Sequence, residues 1–163
     1  MSARPFRVAW ICALCLCAAA LPPVARADTD ACTMLTPAEI GSAIGGPVAA
    51  GSHVTATYVK TCVWNSAGGS AIKSVTVFLQ TAAAYDSGKQ QITAARMAAG
   101  ANGTSIKSAA VGDDAYYFVA GDQVGLLVKK GAVSFKVTVY ATLPVDKKEA
   151  MELTLAKAVV AKL

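Results

Sequence analysis

Three runs near the C-terminus constrain the fold more than anything else in this chain. Residues 115–120, 123–129 and 132–142 are rich in Val, Leu, Phe and Tyr. The two-residue, glycine-containing turns Gly121-Asp122 and Lys130-Gly131 separate them. Turns that short join only antiparallel neighbours. In the third run Phe135, Val137 and Val139 alternate with Ser134, Lys136, Thr138 and Tyr140. A period of two puts the first set on one sheet face and the second on the other. The pattern therefore predicts a three-stranded meander with Phe135, Val137 and Val139 buried together and Lys136 exposed. A sheet with one apolar face needs a cover, and helices are the available cover.

The rest of the chain supplies those helices and more strands. Thr36-Pro37-Ala38-Glu39 reads as a helix start, with Thr36 as cap, Pro37 at the first helical position and Glu39 completing a capping box. Gly45-Gly46-Pro47 stops that helix. Residues 54–64, rich in Val, Thr, Tyr and Trp, read as a strand. It is expected to pair as a hairpin with the alternating run Val75 to Gln80, across the turn at residues 65–69. Residues 82–99 read as a second helix, weakened at Gly88. After Pro144, Asp146 and Glu149 suggest a second capping box. Met151, Leu155, Ala158, Val159 and Leu163 form a helical stripe behind it. The expected fold class is α+β: one antiparallel sheet with a C-terminal meander, covered by helices near 36–44, 82–99 and 146–162. The element order suggests an α-β-β-β unit used twice with a closing helix.

The chain has 163 residues, the size of one domain, and its first 27 read as a targeting segment. Arg4 and Arg7 precede an apolar run, Val8 to Leu21. Pro22-Pro23 breaks that run, and Ala25-Arg26-Ala27 fits a small-x-small cleavage site. The run is short against the roughly 20 residues needed to span a bilayer. The expectation is a cleaved signal peptide over 1–27, a single domain over 28–163, and an exported protein, periplasmic or extracellular. Cys12, Cys15 and Cys17 leave with the signal, and small residues do not precede them as lipidation requires. Cys32 and Cys62 remain, and an even pair in an exported chain predicts a structural disulfide. Beyond residue 27 the chain carries 12 basic and 10 acidic residues. That balance is ordinary for a soluble domain, and no basic run with interleaved aromatics points to nucleic acid. No second long apolar stretch follows, so no membrane span is expected after signal removal. A monomer is expected.

Several motifs together carry a family resemblance. They are Cys32 before Leu35-Thr36-Pro37-Ala38-Glu39-Ile40, the Gly45-Gly46-Pro47 stop, Cys62-Val63-Trp64, and Val111-Gly112-Asp113-Asp114-Ala115-Tyr116 followed by a hairpin and a Lys-Ala-rich last helix. In these the chain resembles small secreted domains of unknown function, best known as cell-envelope lipoproteins of actinobacteria. The resemblance implies an α/β sandwich similar to Mog1 and PsbP. It carries no catalytic residues to transfer. The chain departs from it in lacking a lipobox, which implies a soluble rather than a tethered protein.

Little catalytic chemistry is legible. His53 is the only histidine, beside Gly51-Ser52 in an expected solvated loop, so a histidine triad or multi-histidine metal site has no support. Asp113-Asp114 offers adjacent carboxylates for calcium, but the spacing lacks the alternation of a calcium loop and reads as a turn. Gly41-Ser42-Ala43-Ile44-Gly45 lacks the strand context of a nucleophile elbow. No phosphate-cradling loop is present, and no cofactor or metal is expected. Tyr58, Tyr116, Phe118 and Tyr140 are the candidates for a binding surface, against the plainer reading that such aromatics pack under a helix. The expected function is a non-enzymatic binding or accessory module of the cell envelope, with a protein or envelope component as partner. The alternatives are a small-ligand carrier using the sheet-helix crevice and a carboxylate-based cell-wall hydrolase.

Overall fold

A computed structural model describes residues 29–68, 71–99 and 104–163. The expected targeting segment 1–27 and Gly69 of the expected turn lie outside the described residues. The elements are α1 (Pro37–Ile44), β1 (Ser52–His53), β2 (Thr61–Asn65), β3 (Ile72–Thr81), α2 (Ala82–Ala99), β4 (Thr104–Ser108), β5 (Asp114–Ala120), β6 (Gln123–Lys130), β7 (Val133–Ala141) and α3 (Val145–Val160), with a 3-10 turn at Ala31–Thr33. The seven strands form one antiparallel sheet in the order β1-β2-β3-β7-β6-β5-β4. The α+β expectation is therefore met. Two meanders, β1-β2-β3 and β4-β5-β6-β7, lie side by side and join where their last strands meet.

Register assigns the two faces. Cys62, Val77, Val137, Leu126 and Tyr117 make one cross-strand row. Leu79, Phe135, Val128 and Ala115 make another. All of them are buried, together with Trp64, Val75 and Val139. The predicted register of the meander holds, since Phe135, Val137 and Val139 share the buried face. Lys136 points to the other face but is half-buried rather than fully exposed. Ile40 and Ile44 of α1 and Leu155, Ala156 and Val159 of α3 are buried in the same core and cover this face. Burying apolar surface at about 25 cal/mol per Å² is the main force holding these layers together.

Local chemistry explains the helix starts unequally. The Thr36 hydroxyl accepts from the Glu39 N–H at 3.2 Å, and the Glu39 carboxylate accepts from the Thr36 N–H at 2.7 Å. Glu39 also meets Lys162 at 2.8 Å, tying α1 to the end of α3. That ammonium and the Thr36 N–H lower the Glu39 carboxyl to about 2. Gly45 ends α1 in the left-handed conformation, φ 75°. The second expected capping box does not form. Pro144 is the N-cap of α3 and has no side chain to cap with. Asp146 falls one position inside the helix, and Glu149 pairs with Lys107 at 2.6 Å.

Two strand readings need correction. Residues 54–60 are not strand. Their backbone makes a local Tyr58 N–H to Thr55 carbonyl bond, and the chain is pinned where Val59 accepts from Ala31 and Lys60 from Leu79. Strand preference of side chains is overridden where no neighbouring strand is in register. The strand begins at Thr61, and its pairing with β3 is as expected. Conversely, β4 was not legible, because Thr104–Ser108 carries a single large apolar residue, Ile106. It forms a short edge, as β1 does at the other side, and short edges limit further sheet pairing.

Gly112 precedes β5 at φ 68°, and a Cβ there would lie 2.6 Å from the Lys129 carbonyl oxygen. Gly112→Ala is expected to lose about 2 kcal/mol or more of stability, from left-handed strain plus that backbone clash. The check is the urea unfolding free energy; an unchanged midpoint and slope would contradict it.

Candidate functional site

The uncovered face of the sheet is the candidate site. Its central row runs Thr61, Phe78, Lys136, Leu127, Tyr116 and Ser108. At one end α2 closes it. The Tyr85 ring packs on Tyr116 at 5.3 Å between centroids, tilted by 55°. Lys89 meets Asp114 at 2.6 Å and lies 5.5 Å from the Tyr116 ring centroid. Lys129 meets Asp86 at 2.6 Å and lies 5.6 Å from the Tyr85 ring. Burial and the nearby Asp114 carboxylate raise both tyrosine hydroxyls above their ordinary range. Lys89 holds Asp114 below the usual carboxylate range. Tyr85 is the only fully buried side chain described on α2, and Met97 near its end is largely exposed. The helix is thus anchored most firmly in its first half, with Ile92 and Arg96 half-buried further on.

At the other end the sheet itself opens. The β6–β7 register stops at Leu126–Val137, although β6 begins at Gln123 and β7 runs to Ala141. Each strand stays paired with its outer neighbour there, β6 with β5 and β7 with β3. The two halves of the sheet therefore part between Gln123–Gly125 and Thr138–Ala141. A groove of about 210 Å³ on the open face follows this parting, lined by Phe118, Gln123, Gly125, Lys136, Thr138 and Tyr140, with Val124. Gly125 makes room for it. A Cβ at that position would fall 2.5 Å from Lys136 Cε, so the lysine lies directly over the glycine.

From the core side, α3 fills the same parting with polar groups. Glu152 is fully buried, and its Oε1 accepts the Val139 N–H at 2.9 Å. Its Oε2 is buried with no hydrogen-bond partner among the described residues. Burial pushes the Glu152 carboxyl up to about 8, against the opposing pull of the Val139 N–H and of Lys136 and Lys148. Lys148, one turn earlier and also fully buried, donates to the Asp122 carbonyl and lies 3.5 Å from that of Ala141. It bridges the two lips of the parting. The buried stripe of α3 is thus Lys148, Glu152, Leu155, Ala156 and Val159 rather than the apolar stripe expected, and Met151 is only half-buried.

The proposed surface residues separate into three groups. Phe118 and Tyr140 line the groove together. Tyr116 shares their face but is buried under Tyr85, following the plainer reading for such aromatics. Tyr58 is exposed in the loop before β2, and the groove does not include it. Tyr117 points to the core and donates to the Glu149 carbonyl at 2.9 Å.

The acids and the histidine also find definite places. Asp113 accepts from the Gly131 N–H at 2.7 Å and meets Lys130 at 2.8 Å. Its neighbour Asp114 turns to Lys89, so the two carboxylates serve different partners and the turn reading stands. His53 is not a solvated loop residue. It sits in β1 opposite Cys62, half-buried, with Nε2 2.8 Å from Asp30 Oδ1. Cys32 and Cys62 form the disulfide. No helix among the described residues is long and apolar enough to cross a membrane. No family model, no curated protein and no solved structure matches the chain.

Proposed function

We propose that the protein is an exported, non-enzymatic binding or accessory module of the cell envelope, and that the open sheet face around Phe118 and Tyr140 captures its partner. The disulfide and the motifs around Cys32, Cys62 and Val111-Gly112-Asp113-Asp114 support an exported, envelope-associated setting. One observation carries the binding reading: among the described residues, the face opposite α1 and α3 is covered by α2 at its Tyr85 end. Half-exposed Phe78, Leu127, Phe118 and Ile106 and the exposed Tyr140 remain beyond it. Aromatic anchors beside a cation are the usual composition of a binding hot spot.

The groove argues against the alternatives. Its roughly 210 Å³ falls below the ~300–1,000 Å³ typical of small-ligand pockets, so it suits one inserted side chain better than an enclosed cargo. A larger groove of about 550 Å³ follows α2 past Asp86, Lys89, Thr93 and Met97, but its described lining is one face of one helix. A glycosidase needs two acids facing each other across a cleft, and no described lining residue of the Phe118–Tyr140 groove is an acid.

The test is affinity capture from the envelope fraction with wild type, Tyr140→Ala and Phe118→Ser, each checked for an unchanged circular-dichroism spectrum. Loss of one hot-spot aromatic is expected to weaken binding of the captured component by roughly tenfold or more. Equal capture by all three proteins would move the surface elsewhere. Turnover of a cell-wall substrate that is lost in a folded acid-to-amide variant would replace the reading with an enzymatic one.

A further inference from the structure

The disulfide stands beside a carboxylate and an imidazole that are already paired with each other, Asp30 and His53. Asp30, Cys32 and His53 each direct one ligand-type atom into a common space, with those atoms within 4.8 Å of one another. Cys62 Sγ is bonded to Cys32 Sγ and Cys62 lies directly opposite His53 across the β1–β2 pair, next to but not within that converging group of three. Directly opposed residues in an antiparallel pair project to the same face with their Cβ atoms about 5 Å apart.

The local backbone builds this convergence. Asp30 caps the 3-10 turn, its Oδ1 accepting the Cys32 N–H at 2.7 Å, which holds the carboxylate over the cysteine. The Ala31 N–H donates to the Val59 carbonyl and fastens the turn to the chain entering β2. Gly51 lets β1 come close. A Cβ there would fall 2.7 Å from Cys62 Sγ and 2.6 Å from the Trp64 indole nitrogen. Cys62 and Trp64 are buried and form an apolar back wall, while Cys32, His53 and Asp30 are half-buried at the front. Sulfur, nitrogen and oxygen donors thus converge at a half-buried place beside the buried Cys62 and Trp64.

While the sulfurs are bonded to each other neither is a thiolate, and the set has no strong soft ligand. The geometry points to a second state: when the Cys32–Cys62 bond is reduced, Cys32, Cys62, His53 and Asp30 form a four-ligand site for a zinc-class divalent cation. Reduction by an external dithiol adds two electrons and two protons to the pair and converts the dithiol to its own disulfide. Cation binding then displaces the two thiol protons. Two sulfurs, one imidazole nitrogen and one carboxylate oxygen match the tetrahedral donor preference of zinc, with about 2.3 Å to sulfur and about 2.0–2.1 Å to nitrogen and oxygen. At those lengths the nitrogen and oxygen ligands sit roughly 3.3 Å apart, so the present 2.8 Å His53–Asp30 contact opens slightly, and Cys62 Sγ turns in toward the other three once its bond to Cys32 is broken. Disulfide and metal are mutually exclusive occupants of one place, so the redox state of the pair decides whether the chain holds a cation.

Cobalt(II) is the probe, because thiolate-to-cobalt charge transfer and tetrahedral ligand-field bands report its ligands directly. Chain beginning at Asp28 is reduced with a phosphine, freed of excess reductant and titrated anaerobically; oxidised chain is titrated in parallel. The expected result is one equivalent bound with two-thiolate charge transfer in the reduced protein, displaced by zinc, and none in the oxidised protein. His53→Ala and Asp30→Asn are each expected to weaken binding by about 100-fold or more, beyond what removal of an outer-shell partner usually costs. Zinc should raise the melting temperature of the reduced protein and leave that of the oxidised protein unchanged, by linkage of binding to folding. If reduction unfolds the chain, zinc must restore its native circular dichroism. Failure of the reduced protein to bind cobalt through thiolates, failure of zinc to refold it, or equal affinity in the two variants would each overturn the assignment.

Discussion

Glu152→Gln is expected to flatten the pH dependence of stability between about pH 5 and pH 8 and to make the protein more stable at the upper end. In the unfolded chain this carboxyl ionises near its ordinary 4.5; in the fold burial moves it up to about 8. Between those values the folded state holds a proton that the unfolded state has lost. Stability therefore falls as pH rises, by about 1.4 kcal/mol per pH unit. Below the lower value both states are protonated and no penalty applies; above the upper one the whole penalty, several kcal/mol on this reasoning, is present. Glutamine keeps the shape and the acceptor for the Val139 N–H and removes the ionisation. The lowered carboxyls of Asp30, Glu39, Asp113 and Asp114 act at the acid end instead, where their contribution is lost as pH falls. The measurement is the urea unfolding free energy of both proteins across this range. Parallel curves would show that Glu152 ionises in the fold as it does outside it.

Replacing both Cys32 and Cys62 by alanine is expected to cost about 2–4 kcal/mol. The bond spans a sequence separation of 30, for which the loss of loop-closure entropy alone is about 3.5 kcal/mol. It ties the turn before α1 to β2, and Cys62 is fully buried on the core face of the sheet. The double variant should keep its sheet spectrum and unfold at lower urea. Unchanged stability, or two titratable thiols in the native protein, would remove the structural role.

Both effects grow from features of different legibility. The disulfide could be read from an even cysteine pair behind an expected targeting segment. The Thr36–Glu39 box, the Gly45 stop and the register of Phe135, Val137 and Val139 were equally plain, because neighbouring residues decide them. A cap closes within four positions, a two-residue turn sets a hairpin, and a period of two sorts a strand's faces. Among the described residues these local rules account for the class of fold and for the composition of its core.

Other features depended on residues far apart in the chain. Lys148 and Glu152 sit on a helix whose polar positions would ordinarily face water. They are buried only because β6 and β7 part beneath them. That parting follows from each strand keeping its outer partner, a competition between pairings that no single segment encodes. Val54 to Lys60 has strand-like composition and no strand to pair with, while β4 has little strand composition and a ready edge. His53 reads as a loop residue until β1 is laid against Cys62. The sequence by itself determined the three helices, the strands of the C-terminal meander and the inward sets of β3 and β7, since those follow from contacts a few residues long. Tertiary structure alone decided which sheet face stays open, where the sheet splits, and which polar groups are carried into the split. Those outcomes depend on how the two meanders share one sheet and on which helix reaches each face.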